Sequence, residues 1–66
     1  RSMKLMIHMD TEEEARKSIA ILGNKGKIIS ELKPHPAPDD GGMGSIILDK
    51  YGYIWIITCP NARKEG

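Results

Sequence analysis

The sequence predicts an α+β fold made of a single βαβββ module, in which a mixed four-stranded sheet carries one helix on one face. Three observations predict it. Apolar residues alternate along Lys4–Asp10, as in a strand with one buried face. A helix-start signal and an apolar stripe follow at 11–23, and three β-prone runs occupy 27–60. A chain of 66 residues has room for one domain, which we place at residues 3–60.

The helix is predicted from its capping residues and its periodicity. Thr11 and Glu14 form a capping box, in which the threonine hydroxyl accepts from a backbone N–H that has no partner within the helix. Gly23 supplies the flexible backbone that ends the helix after about three turns. Between these signals, apolar residues recur at helical spacing at Ala15, Ile19 and Leu22.

Three further strands are predicted from β-prone runs and from the residues that interrupt them. The second strand, Lys27–Lys33, stops at a proline-rich loop at 34–42, because proline cannot donate a ladder hydrogen bond. The third and fourth strands cover Met43–Asp49 and Tyr53–Cys59. They are joined by a hairpin in which we expect Gly52 to adopt a left-handed conformation.

Composition and charge exclude several classes of partner. Ten Lys and Arg residues against nine Asp and Glu give a net charge of +1, too small to attract nucleic acid or an anionic membrane. The apolar run at Met3–Met9 is too short to span a bilayer and too polar for a signal peptide. We therefore expect a cytoplasmic protein. Arg1 and Ser2 are expected to be an expression scar, and residues 61–66 a polar tail.

The last two strands predict a partner, because both of their faces are apolar. A sheet of this kind needs cover on both sides, and the single helix protects only one. A disulfide cannot compensate for the small core, because Cys59 is the only cysteine. We expect self-association or a ligand-filled cup, whose burial at about 25 cal/mol per Å² contributes several kcal/mol. The alternative is that the proline-rich loop folds back over the open side.

Three segments and one hairpin motif resemble a known family. The segments IHMDTEEEARKSIAIL, GKIISEL and GSIILDKYGYIWII, between Lys4 and Pro60, resemble the repeating half of the glyoxalase/bleomycin-resistance/extradiol dioxygenase (vicinal oxygen chelate) superfamily, especially its PhnB-like, or demethylubiquinone methyltransferase-like, branch. The run DKYGYIW at 49–55 resembles that family's D-P-x-G-x-x-W/I hairpin, with Lys50 in place of the proline. Two modules form a ligand-binding cup in that family. The resemblance therefore implies a homodimer here, unless a second half is missing.

The resemblance also assigns a site. Metal-binding members use His, Gln or Glu on the first strand of a module and Glu on the last, and these positions fall on Lys4 and Ile56, which cannot ligate. We therefore expect no metal and no other cofactor. Since ligand positions face the cup, the resemblance implies that the cup is lined by Met6, His8, Ile54 and Ile56. Trp55 and Ile57 would then face the helix.

One main hypothesis and two alternatives follow. The main hypothesis is a glyoxalase-related, metal-free homodimer that binds a small ligand of apolar or mixed polarity. The first alternative is a metal-dependent enzyme of the lyase or dioxygenase class, by resemblance only, with a composite site across the dimer that uses His8. The second is a structural interaction module without a ligand. No catalytic constellation is visible, so enzymatic activity stays open, and His35, near Asp39 and Asp40, is interpreted as a surface-loop residue.

Overall fold

The computed structural model describes residues 3–62 and contains the predicted elements in the predicted order. Residues 1–2, the expected expression scar, and residues 63–66, most of the expected polar tail, lie outside the described residues. The α+β fold class is confirmed. The elements are β1 (Lys4–His8), α1 (Glu12–Gly23), β2 (Lys27–Pro34), β3 (Gly42–Leu48) and β4 (Ile54–Pro60).

The four strands form one mixed sheet in the order β1-β4-β3-β2. β1 runs parallel to β4, while the β2–β3 and β3–β4 pairs are antiparallel. The parallel pair needs a long connection, which α1 and the two following strands supply. β1 and β2 are therefore the two edges of the sheet.

The helix begins at the predicted cap and ends at Gly23, as predicted, but the left-handed residue that follows is not a glycine. The Thr11 hydroxyl accepts from the Glu14 backbone N–H at 3.1 Å, which confirms the cap. At the other end the left-handed residue is Lys25, with φ 64°, whereas the sequence pointed to the glycines. The helix stops at Gly23, but the turn into β2 closes two residues later. Gly26 is required there for space, because a Cβ would overlap the Leu48 carbonyl oxygen.

The hydrophobic core lies between α1 and one face of the sheet. On the helix, Ala15 and Ile19 are buried, in agreement with the predicted stripe. The sheet contributes Leu32, Met43, Ile47, Ile57 and Cys59. Ser45 is also buried, and its hydroxyl donates to the Ser30 carbonyl oxygen at 2.7 Å, so this polar group is satisfied.

The β3–β4 hairpin is organised by the carboxylate of Asp49. One oxygen accepts from the backbone N–H groups of Tyr51 and Tyr53, at 2.8 and 2.9 Å. The other accepts from the indole Nε1–H of Trp55 at 2.7 Å. Gly52 has a φ of 92°, so the expected left-handed glycine is confirmed. Desolvation raises the pKa of Asp49, but these hydrogen bonds outweigh it and hold that pKa below the ordinary value of 3.8.

Candidate functional site

The sheet face turned away from α1, here called the open face, carries all four side chains predicted to line a ligand site. In the β1–β4 pairing, Met6 is level with Ile56 and His8 with Thr58. On β4, Ile56 and Thr58 flank Ile57, whose side chain points to the opposite side of the sheet and is buried against α1. The structure therefore brings Met6, His8, Ile54 and Ile56 together on two neighbouring strands. Their role in ligand binding stays a prediction.

Apolar side chains fill the middle of the open face. The register places Met6, Ile56 and Ile46 in one row across three strands, and Ile54 and Leu48 in the next row. Met6 is 70% exposed, and the other four are only partly buried. Lys4 and Lys27 stand at the two ends of the second row. The open face is therefore an apolar surface on which Met6 is exposed and the other four side chains keep partial contact with water.

A polar row borders this apolar surface. The imidazole Nδ1 of His8 lies 2.8 Å from the Thr58 hydroxyl oxygen. Across the β3–β4 ladder, Thr58 is paired with Gly44. The ring of His35 lies over Gly44, so closely that a Cβ added there would be 2.8 Å from the imidazole Cε1. His8, Thr58 and His35 therefore follow one another along one border of the open face.

His35 lies in an exposed loop, as predicted, but its ring makes a contact that the sequence did not predict. The residue is exposed, but its ring packs on the sheet beside the predicted ligand residues. The sequence held a signal for this. Gly42 and Gly44 are two residues apart, so both lack a side chain on the same face of β3. The gap that they leave is filled by a ring from the preceding loop.

The proline-rich loop is held in place at both of its ends. The His35 backbone N–H donates to the Gly42 carbonyl at 3.0 Å, which closes the loop at its base. Asn61 donates from its backbone to Gly41 and from its side-chain amide to Asp40, both at 2.8 Å. The alternative was that this loop folds back over the whole open face. The loop covers only the part of that face around Gly44, where the His35 ring lies.

A pocket of about 190 Å³ lies between this loop and the open face. Its surface is mainly apolar. The residues that line it are Ser30, Lys33, Pro34, His35, Pro36, Gly44, Ser45, Ile46 and Ile56. It contains one of the four predicted ligand residues, Ile56. The histidine and the lysine of this pocket were not predicted as site residues, because they enter it from a loop and from an irregular strand.

The implied metal does not fit the residues at the family's ligand positions. Lys4 and Ile56 both stand on the open face, on the adjacent strands β1 and β4, but an ammonium group and an alkyl chain have no lone pair to offer. Within residues 3–62, no group of three or more His, Cys, Asp or Glu side chains has an arrangement that would hold a metal ion.

Within residues 3–62, no helix has the length and apolar character needed to cross a membrane.

Cys59 is buried in the core under the helix. Desolvation raises the pKa of its thiol, the Glu12 charge raises it further, and the Arg16 charge opposes both. The thiolate that a nucleophile needs is therefore disfavoured at neutral pH. The position of Cys59 in the core is therefore that of a packing residue.

Comparisons with known proteins support the fold. Among solved structures, the chain is similar to a PhnB protein from Bacillus cereus that carries the provisional description 3-demethylubiquinone-9 3-methyltransferase. The two are 27% identical with a TM-score of 0.66, over 89% of this chain. The match spans only 42% of the length of the Bacillus cereus protein. No family model matches the chain, and a search of curated proteins finds no match. The chain therefore has the fold of part of a PhnB-like protein.

Proposed function

We propose that this chain is a glyoxalase-related small-molecule-binding protein that acts as a homodimer, with the open faces of two copies forming a cup. The observation that carries the proposal is the asymmetry of the sheet. One face is covered by α1, while the other leaves Met6 exposed and Ile46, Ile54 and Ile56 partly exposed. Apolar surface of this kind is normally covered by a partner or a ligand.

The edge of β1 is the better place for two copies to join. The other edge, β2, has irregular register at two places, between Ile28 and Ser30 and between Ser30 and Lys33, and it ends at Pro34. Bulges and proline interrupt the row of backbone groups that a second strand would pair with. β1 is paired with β4 in unbroken register. Two copies joined through β1 would form one continuous eight-stranded sheet with both open faces on the same side.

The comparison supports a two-module assembly. The chain matches 42% of the length of the Bacillus cereus protein, which leaves room for a second module in that longer chain. Two copies of the present chain would supply eight strands. In this assembly, Met6 and His8 of both copies lie next to the junction, because they stand on the joining strand. We expect the dimer to work in the cytoplasm and to bind its ligand without a metal.

A metal-dependent enzyme remains the second candidate, favoured by one observation. His8 and His35 stand on the same face, on either side of Thr58, and a homodimer doubles their number. Imidazole is a common ligand of Zn²⁺, Ni²⁺ and Fe²⁺. Elemental analysis of the purified protein separates the candidates. A stoichiometric metal that is lost in His8→Ala would replace the metal-free proposal with this one.

The homodimer is tested by sedimentation equilibrium over a wide range of protein concentrations. Met6→Lys places a charge on the open face beside the proposed junction and should weaken the dimer at least about tenfold. Ile21→Lys is the matched control, since Ile21 is 74% exposed on the helix, away from the open face. It should dimerise like the wild type. A wild-type protein that stays monomeric at high micromolar concentration refutes the homodimer.

Ligand binding is tested with an apolar fluorescent probe, anilinonaphthalene sulfonate. Trp55 is not a suitable reporter, because it packs against the core on the helix side and its indole N–H is bound to Asp49. The probe should gain fluorescence with the wild type and lose most of that gain with Ile56→Gln, which removes apolar surface without adding a charge that would attract the sulfonate of the probe. Equal probe fluorescence for both proteins would argue against a ligand site on the open face.

A further inference from the structure

We propose that the pocket beneath the proline-rich loop binds the apolar end of a small organic acid, with Lys33 and His35 receiving its carboxylate. This inference rests on the proposed function, because it names a ligand class for the same open face. It does not depend on the homodimer, since the residues of one chain are enough to line the pocket. The ligand class follows from the size, the lining and the charge of the pocket.

The size of the pocket fits one ring or one branched alkyl group. Its volume is about 190 Å³. An apolar protein cavity of roughly 150 Å³ is large enough for benzene. The side chains of Ile46 and Ile56, together with Pro34 and Pro36, give the pocket an apolar lining. A polar or charged group inserted among them would lose its hydration without compensation. The buried end of the ligand is therefore apolar.

The charge of the pocket favours an anion. Lys33 and His35 both line it, and no carboxylate from the described part of the chain does so. Within residues 3–62, Lys33 forms no ion pair, so its ammonium group remains available to a ligand. His35 offers a ring N–H in either tautomer. A carboxylate accepts such charge-assisted hydrogen bonds more strongly than a neutral amide does.

The pocket is built into the fold and is not an accident of a loose loop. The hydrogen bond from Ser45 to the Ser30 carbonyl, at 2.7 Å, fixes the irregular part of β2 that borders it. The His35 ring is seated on Gly44, and the His35 backbone is tied to Gly42. A side chain at residue 44 would occupy the place of the ring. The lack of a side chain there is therefore a requirement of this pocket.

The test is a titration of the ¹⁵N-labelled protein followed by NMR, using three ligands of one shape. Benzoate is the acid, benzamide is its neutral analogue and benzylamine is its cationic analogue. Benzoate should shift the amide signals of Lys33, His35 and residues 44–46, and it should bind about tenfold more tightly than benzamide. Benzylamine should bind more weakly than either.

Variants assign the effect to the pocket. Gly44→Ala should displace the His35 ring and weaken benzoate binding about tenfold, while Gly41→Ala, which has open space around the added methyl group, should not change it. Lys33→Gln should remove the preference for benzoate over benzamide. If Gly44→Ala does not fold, as judged from its amide spectrum, His35→Ala takes its place.

The outcomes separate this inference from the proposed function. If benzoate, benzamide and benzylamine bind the open face equally well, the face is a ligand site but the acid preference is wrong. If the shifts fall on α1 or on the hairpin, or if Gly44→Ala and Lys33→Gln bind benzoate like the wild type, the pocket assignment is wrong. If no ligand shifts any open-face signal and the fluorescent probe also fails, the proposed function falls with it.

Discussion

Shortening one isoleucine on each face of β4 should have unequal effects on stability. Ile57 is fully buried against the helix, whereas its neighbour Ile56 is only partly buried on the open face. A buried Ile→Val change costs about 0.5–1.5 kcal/mol, through lost burial and the cavity that remains. Ile56→Val removes a methylene that is only partly shielded, so its cost should be about 0.4 kcal/mol, half the value for full burial. Valine is preferred to alanine, because Ile57→Ala at about 2–5 kcal/mol would approach the whole stability of so small a domain.

The assay is urea unfolding followed by the fluorescence of Trp55, which packs against the core and should report its loss. With a slope of about 1 kcal/mol per molar urea, Ile57→Val should lower the midpoint by about 0.5–1.5 M and Ile56→Val by about 0.4 M. The measurement is made at low protein concentration, so that dissociation of a dimer does not contribute. Equal midpoint shifts for the two variants would mean that the open face is as tightly packed as the helix face, and the reasoning would be refuted.

Three further predictions concern the turns and caps. Gly26→Ala should destabilise the fold by more than about 1 kcal/mol in urea unfolding, because the added methyl group would collide with the backbone of Leu48 and Asp49. Gly41→Ala should stay near wild type, and similar values for the two variants would contradict the close packing around Gly26. Thr11→Ala should cost about 0.5–2 kcal/mol, and Thr11→Ser should restore most of it; no loss would mean that the cap is not formed in solution. Asp49→Asn should be less stable than wild type at pH 7. Because the folded pKa of Asp49 lies below 3.8, the difference should shrink as the pH falls below about 4, and a difference that is constant down to pH 2 would count against the carboxylate network.

The parts of the fold that the sequence predicted are those that local chemistry determines. Thr11 caps a helix because its hydroxyl reaches a backbone N–H three residues away. Asp49 organises the hairpin through donors within six residues of it, and Gly52 takes the positive φ that this turn needs. The alternation along β1 and β4 separated the two faces of the sheet, since side chains of a strand point to opposite sides in turn.

The parts that the sequence did not predict depend on contacts between distant segments. His35 reaches the open face because the irregular register of β2 and the two glycines of β3 leave space for its ring. Neither condition can be found in the sequence around residue 35 alone. Similarly, Asn61 was placed in a tail, but its hydrogen bonds go to a loop 20 residues earlier in the chain. Such pairings become visible only when the strands are in register.

Alternate residues of β3 divide between the hydrophobic core and the proposed ligand site on the open face. On β3 the side chains of Met43, Ser45 and Ile47 face the core, while Gly44 and Ile46 face the open side. A change on the core side therefore acts mainly on the free energy of unfolding, whereas a change on the open side should cost less stability, as argued for Ile56→Val. Under the proposed function, substitutions at His8, Lys33 and Ile56 should alter ligand binding while the residues on the helix side keep the module folded.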